Sequence, residues 1–290
     1  MCDLERHLRE LQGELNLQVR VMRATEDTSE KYPGRVIRQQ DGKFTVSMGS
    51  GYAQRLLERL GMSTCKPADA IGQPSRQTDD EVILLPEQAE MYRSCVGILM
   101  WIQQERPDLA VVTNLLASGM SEPKQGDLRL LKRCARYLQG HQDVGTVMAP
   151  AEVPTQRAKT SYQLDCFADS DWGGDKATRQ SRSGWVVYLN GVPISSGTRR
   201  QQVVALSSSE AELYALSVGA SEALNYREYL AGILGVESVE IGLRVYTDNT
   251  SCQSMCYRVG PGRAKHIASR ALWLQGYRQA GLLDVSRVKT

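Results

Sequence analysis

Histidine is scarce in these 290 residues, with 3 in all, and the 7 cysteines include no Cys-x-x-Cys pair. A structural zinc site needs closely spaced thiolates or imidazoles, so that chemistry is not expected, and unpaired thiols fit a reducing compartment. Cys252 and Cys256 stand four apart on an expected helix, where a shared buried face is the reading because no His or Cys lies near to complete a metal site. Long apolar runs are missing too. The longest, Val96 to Ile102, falls far short of the ~20 residues that a bilayer span requires. Met1 is followed by Asp3, Glu5 and Glu10, so no signal or transit peptide is expected, and the chain is placed in the cytoplasm or nucleus, away from membranes. Net charge is small as well, at +2, but it is unevenly divided. Residues 1–154 carry 19 Lys and Arg against 21 Asp and Glu, and residues 155–290 carry 16 against 12. The second part leans mildly towards a polyanionic partner.

What is present is enough apolar content, 41%, for about two domains. Leu4, Leu8, Leu11 and Leu15 make a one-faced helical stripe over residues 3–15. Val19–Arg23 and Arg35–Val46 read as strands, the latter turned at Asp41-Gly42. A helix around Leu56, Leu57 and Leu60 ends at Gly61. Residues 63–90 hold Pro67, Gly72, Pro74 and Pro86 with few apolar residues and read as a linker. Two helices follow, Met91–Gln104 stopped by Pro107 and Asp127–Gln139 closed by Gly140.

The stretch from Leu164 to Leu216 organises the rest. Leu164, Cys166 and Ala168 alternate as a strand that ends near Asp169, and Trp185–Leu189 is a second strand closed by the hairpin signal Asn190-Gly191. Val203–Leu206 reads as a third. Ser207-Ser208-Ser209 with Glu210 and Glu212 then opens a helix with a hydroxyl cap and acids in its first turns. Gly242–Thr247 is a fourth strand and runs into Asp248-Asn249. If the first and fourth strands are parallel neighbours, as a crossover favours, Asp169 and Asp248 emerge together at their carboxyl ends. Taken singly, each Asp is a common turn former and Glu212 suits a helix dipole. Taken together, three carboxylates on element ends that one fold brings within about 7 Å need a cation, and a hard one such as Mg²⁺ suits oxygen donors.

The strings FADSDWGGD, RQSRSGW, PISSGTRRQQVVALSSSEAELYAL, YTDNTS and GRAKHI resemble the ribonuclease H domain of copia-type LTR-retrotransposon polyproteins, in the same order and at similar spacing. MYRSCVGILMWI, RPDLAVVTNLLASGMSEP and LKRCARYLQG resemble the connection between polymerase and ribonuclease H, and GRVIRQQDGKF to LERLGMSTCKP the end of a reverse transcriptase. The resemblance implies three parts: residues 1–62, a remnant of the reverse-transcriptase domain; 63–158, a linker and helical connection; and 159–290, a ribonuclease H-like domain. The implied fold is α/β, a ribonuclease H-like mixed five-stranded sheet with flanking helices, preceded by an α+β and helical tail and connection. The polymerase's Asp-Asp motif has no counterpart here, so DNA synthesis by this chain is not expected.

By the same resemblance Asp169, Glu212 and Asp248 are the catalytic metal ligands, with Asp171 and Glu210 close enough to be mistaken for them. Two Mg²⁺ or Mn²⁺ ions would serve hydrolysis of the RNA strand of an RNA–DNA hybrid. Arg179, Arg182, Arg199, Arg200, Arg263, Lys265 and His266 flank the site and are candidates to grip the hybrid, with a solvated charged surface as the plain alternative; His266, in GRAKHI, is read as a positioning residue. The implied partners are the hybrid and the rest of the polyprotein. In the family a final strand ending Val-x-Thr leads to a helix with one more metal-binding Asp. Here the sequence stops at Val288-Lys289-Thr290, so a domain truncated at its C-terminus and impaired in cleavage is expected. Two other readings stand beside this one. A non-catalytic remnant that binds nucleic acid or a partner is one, and an integrase- or transposase-type nuclease is the other, although its last carboxylate is usually a Glu on a late helix.

Overall fold

Alternation and turn chemistry together decide the first sheet. In the computed structural model, described over residues 28–32, 34–72, 77–142, 144–149, 162–175, 178–260, 267 and 269–288, the chain falls into two units that meet at residues 148 and 149. The first holds an antiparallel sheet in the order β1 (Thr28–Tyr32), β2 (Arg35–Gln40), β3 (Lys43–Met48) and β4 (Thr146–Met148). Asp41 and Gly42 join β2 to β3 with φ of 52° and 73°, the left-handed pair of a two-residue hairpin.

Four helices share one core beside that sheet: α1 (Gly51–Arg59), α2 (Pro86–Ile102), α3 (Ala110–Ser118) and α4 (Gln125–Gly140). Leu56 and Leu57 of α1 are buried in the same cluster as Tyr92, Leu116 and Leu131. The Tyr92 hydroxyl donates to the Leu116 carbonyl at 2.6 Å, which satisfies the one polar atom of that buried ring. A boundary at residue 62 therefore does not separate two cores. Nor is the expected linker a free tether: the Ala68 amide donates to the Arg136 carbonyl at 3.0 Å, and Arg136 Nε returns a bond to the Lys66 carbonyl at 2.9 Å. Lys66 and Ala68 thus tie the start of this stretch to α4 through their backbones. The expected helix over residues 3–15 and strand over Val19–Arg23 lie outside the described residues.

The second unit is a mixed five-stranded sheet in the order β7-β6-β5-β8-β9, where β5 is Tyr162–Ser170, β6 Arg182–Leu189, β7 Val192–Arg200, β8 Ile241–Thr247 and β9 Asp284–Arg287. The first three are antiparallel, and β8 lies parallel to both β5 and β9. Helix α5 (Ser208–Leu234) makes the crossover from β7 to β8, and α6 (Thr250–Tyr257) and α7 (Ser269–Gln279) follow. This is the ribonuclease H-like α/β architecture expected from the sequence. Cys252 and Cys256 are both buried on α6 and serve the core.

The third strand is corrected. It is Val192–Arg200, and Val203–Leu206 is a loop in which Val203, Val204 and Leu206 are exposed. Asn190 and Gly191, with φ of 47° and 83°, turn β6 straight into β7, so the hairpin fixes the partner before side-chain character can. Pro193, Arg199 and Arg200 suit an edge strand, where proline and charge discourage further pairing. Asn190 also ties the turn to β5: its side chain accepts from the Gln163 amide at 2.8 Å.

Helix α5 lies on β5, β6 and β8 through a stripe of small residues, Ala211, Ala215, Gly219 and Ala223, one every four positions. Gly219 makes the closest approach. A Cβ there would meet Cys166 Sγ at 3.0 Å, Ala168 Cβ at 3.2 Å and Trp185 Cβ at 3.3 Å. Gly232, further along the same helix, has open space where a Cβ would go. We expect Gly219→Val to destabilise the unit by about 1–3 kcal/mol through overpacking, and Gly232→Ala to stabilise it by roughly 0.5–1 kcal/mol through helix propensity. Denaturant midpoints of both variants check this, and a neutral Gly219→Val would mean that the helix does not need its close seat.

Candidate metal centre

Parallel pairing sets the geometry. The Phe167↔Tyr246 pair of β5 and β8 lies two residues before each aspartate, so Asp169 and Asp248 leave the sheet side by side. Glu212 comes from the opposite direction. Ser207 caps α5 by accepting the Glu210 amide at 3.2 Å, which starts the helix such that Glu212 falls in its second turn, over the ends of β5 and β8. One carboxylate oxygen from each of Asp169, Glu212 and Asp248 lies within 4.8 Å of the other two. Asp169 is exposed, Asp248 half-buried and Glu212 buried.

Glu212 bears the strain of this arrangement. Its Oε1 accepts from Ser170 Oγ at 2.9 Å and from the Ser170 amide at 3.3 Å, while Oε2 is buried with no hydrogen-bond partner. Burial pushes its pKa up, the Ser170 hydrogen bonds oppose that, and the charges of Asp169 and Asp248 add to the rise, which ends at about 7. Two ionised carboxylates at such separations repel by roughly 3 kcal/mol at an effective dielectric of ~20. A donor set made only of carboxylate oxygens, with one buried oxygen unsatisfied, fits a hard divalent cation such as Mg²⁺.

Neighbouring groups hold the three in place. Ser209 Oγ donates to Asn249 Oδ1 at 3.2 Å, which links the start of α5 to the loop that carries Asp248. Asn249 Oδ1 also accepts from the Cys252 amide at 2.9 Å and so caps α6. Arg287 Nε, from the end of β9, donates to the Asp248 carbonyl at 3.2 Å. Of these supports, Ser209 falls within the capping run read from the sequence. Ser170 and Arg287 carry no pattern of their own and are visible only once the strands are aligned.

The two acids that invited confusion do other work. Asp171 Oδ1 accepts the Arg182 amide and closes the loop between β5 and β6. Glu210 Oε2 accepts the Leu206 amide at 2.9 Å and thereby completes a reciprocal cap at the start of α5. Neither is part of the cluster of three.

Among the candidate phosphate contacts, Ser183 pairs with Ser170 and Arg199 with Ser183, so Arg199 and Arg200 stand at the same end of the sheet as Asp169. Both are exposed, as is Arg179 on the loop before β6. Arg182 differs: it is buried, and burial draws its pKa below the usual arginine value. It is a poor candidate for gripping a duplex. Arg263, Lys265 and His266 lie outside the described residues.

No family model matches the chain. It is 30% identical over 246 residues to the retrovirus-related Pol polyprotein from transposon RE1 of Arabidopsis thaliana, a match that covers 82% of this chain and 16% of the polyprotein. The chain belongs to the copia-type LTR-retrotransposon Pol polyproteins. It spans about a sixth of the length of that Pol relative. It is also 39% identical over 134 residues, 46% of its own length, to secreted RxLR effector protein 161 of Plasmopara viticola, 89% of which is covered. A foamy viral protease-reverse transcriptase in complex with dsDNA is similar at 16% identity and a TM-score of 0.27, over 77% of this chain and 45% of that one, and this likeness carries no argument.

The raised Glu212 pKa makes this segment of Pol sensitive to pH. Folding retains a proton on Glu212 that the unfolded chain releases between 4.5 and about 7, so the group's contribution to stability falls as pH rises through that window. Added Mg²⁺ is expected to restore what is lost at the upper end, because the assembled carboxylates of the folded state offer it a site that the unfolded chain does not. Thermal melts stepped in pH, with and without Mg²⁺, read both effects, and Glu212→Gln flattens them. A wild-type profile that is already flat would show that the carboxylates do not crowd.

Proposed function

We propose that this segment of Pol is a ribonuclease H, cutting the RNA strand of RNA–DNA hybrids. The observation that carries the reading is the convergence of Asp169, Glu212 and Asp248 with a buried, unsatisfied carboxylate oxygen among them. Two Mg²⁺ or Mn²⁺ ions, when bound, supply an activated water and stabilise charge on the phosphorane and the leaving oxygen. The chain's part is to hold that centre still. Asp169 and Asp248, which project from neighbouring strands, and Glu212, whose orientation Ser170 fixes, would hold the cations. Arg199, Arg200 and Arg179 offer phosphate contacts beside the carboxylates and set the register of the duplex. Selectivity for RNA follows from contacts to 2′-hydroxyls across the minor groove.

An integrase-type order, Asp, Asp, Glu, does not fit, because Glu212 precedes the strand that ends at Asp248. A remnant that only binds nucleic acid is distinguished by experiment. In a complete Pol protein we expect Asp169→Asn to abolish metal-dependent cleavage of a hybrid and to leave hybrid binding within about twofold, because the carboxylate serves the cation and arginines serve the phosphates. Arg199→Ala with Arg200→Ala should instead weaken binding and lower the salt slope by about 0.9 for each phosphate no longer neutralised. Gel-based cleavage and fluorescence anisotropy at stepped salt read the two. Hybrid binding without cleavage in Mg²⁺ or Mn²⁺ by a complete wild-type Pol protein would favour the non-catalytic reading.

A further inference from the structure

A second site lies at the other end of the same sheet. Gln163 at the start of β5, Gly242 at the start of β8 and Gly281 just before β9 border a cavity of about 280 Å³. The six residue steps along β5 from Gln163 to Asp169 separate it from the carboxylates by about 20 Å. Its walls are mixed: Val239, Ile241, Leu243 and Leu282 form an apolar side, and two arginines, Arg227 and Arg244, also line it. The two are only 5% and 6% exposed, respectively.

They are not equally compensated. Arg244 has its Nε 3.8 Å from an Asp284 oxygen and donates from Nη1 to the Tyr246 hydroxyl at 3.3 Å, which in turn donates to buried Asp165 at 3.1 Å. Arg227 has one strong bond, Nη1 to the Leu282 carbonyl at 2.7 Å, and its Nε, like that of Arg244, is buried with no hydrogen-bond partner. Its ion-pair partner is Glu228, at 3.9 Å and 64% exposed, a solvated pairing that offsets little of the cost of burying a guanidinium. Arg227 is therefore the more weakly compensated of the two guanidinium groups at this cavity.

We propose that this cavity binds a small organic carboxylate with an apolar body, the carboxylate paired with Arg227 and the body against Val239, Ile241, Leu243 and Leu282. One weakly compensated guanidinium suits a monoanion, and Asp284, which also lines the cavity, disfavours a dianion. Binding here is independent of the carboxylate centre and of nuclease activity.

The test is an NMR titration of the full chain with benzoate, with benzyl alcohol and inorganic phosphate as separate arms, read at the Gly242 and Gly281 amides. Saturable benzoate shifts at both are expected, with benzyl alcohol and phosphate each at least about tenfold weaker. Arg227→Met should lose the benzoate shifts. Arg227→Lys, which keeps the charge and protects against a folding defect, should weaken binding several-fold because the planar fork is gone. Equal binding of benzyl alcohol or of phosphate, unchanged affinity in Arg227→Lys, or shifts confined to residues near Asp169 would overturn the assignment.

Discussion

Three like charges held within 4.8 Å of each other, one of them buried, are what the rest of the second unit has to accommodate. The repulsion among Asp169, Glu212 and Asp248 works against folding, so each must be held by packing that is unrelated to the charge itself. Parallel pairing of β5 with β8 supplies two of the positions. The third depends on α5 lying close to the sheet, and that closeness rests on Ala215, Gly219 and Ala223, whose small side chains let the helix backbone come down onto Cys166, Ala168 and Trp185. A helix with a bulkier inner stripe would stand further off and take Glu212 with it.

The acids around the cluster show how local bonding separates ligand from support. Asp171 and Glu210 are each two residues from a cluster member, and each has its carboxylate engaged by a backbone amide, from Arg182 and Leu206 respectively. These bonds build the loop and the helix start that aim Asp169 and Glu212. Glu212 alone of the two helix acids has a buried oxygen with nothing to accept from, and a fold that buries such an oxygen leaves a place for a cation.

Elements whose geometry is set by backbone preference were legible from the sequence. Asp41-Gly42 and Asn190-Gly191 adopt left-handed turns, Ser207 caps α5, and both strands that end in Asp are neighbours. Elements whose geometry is set by distant partners were not. Val203–Leu206 has the composition of a strand, yet the hairpin turn commits β6 to Val192–Arg200, leaving that apolar run as a loop whose Ala205 carbonyl accepts from Trp172 Nε1 at 3.2 Å. Residues 63–72 have the composition of a linker, yet they bond to α4. Ser170 and Arg287 become supports of the site only through strand register. Arg182, grouped by sequence with the exposed arginines, is buried at the start of β6. Arg227 is invisible for a related reason, since a lone arginine late in a helix reads as surface until the cavity beside it is seen.

The two ends of the sheet pose the same physical problem with opposite signs. At the carboxyl ends of β5 and β8 there is surplus negative charge, and at their amino ends a buried guanidinium whose partner is largely in water. Desolvating an ion costs several kcal/mol unless a counter-charge is supplied, and the described residues supply one in full at neither place. Protonation relieves the first end, as the rise of the Glu212 pKa to about 7 shows. No such relief exists for Arg227, since a guanidinium keeps its proton in proteins. The carboxylate end can therefore persist without a cation by taking up a proton, whereas Arg227 keeps its charge and depends on a counter-charge at every pH.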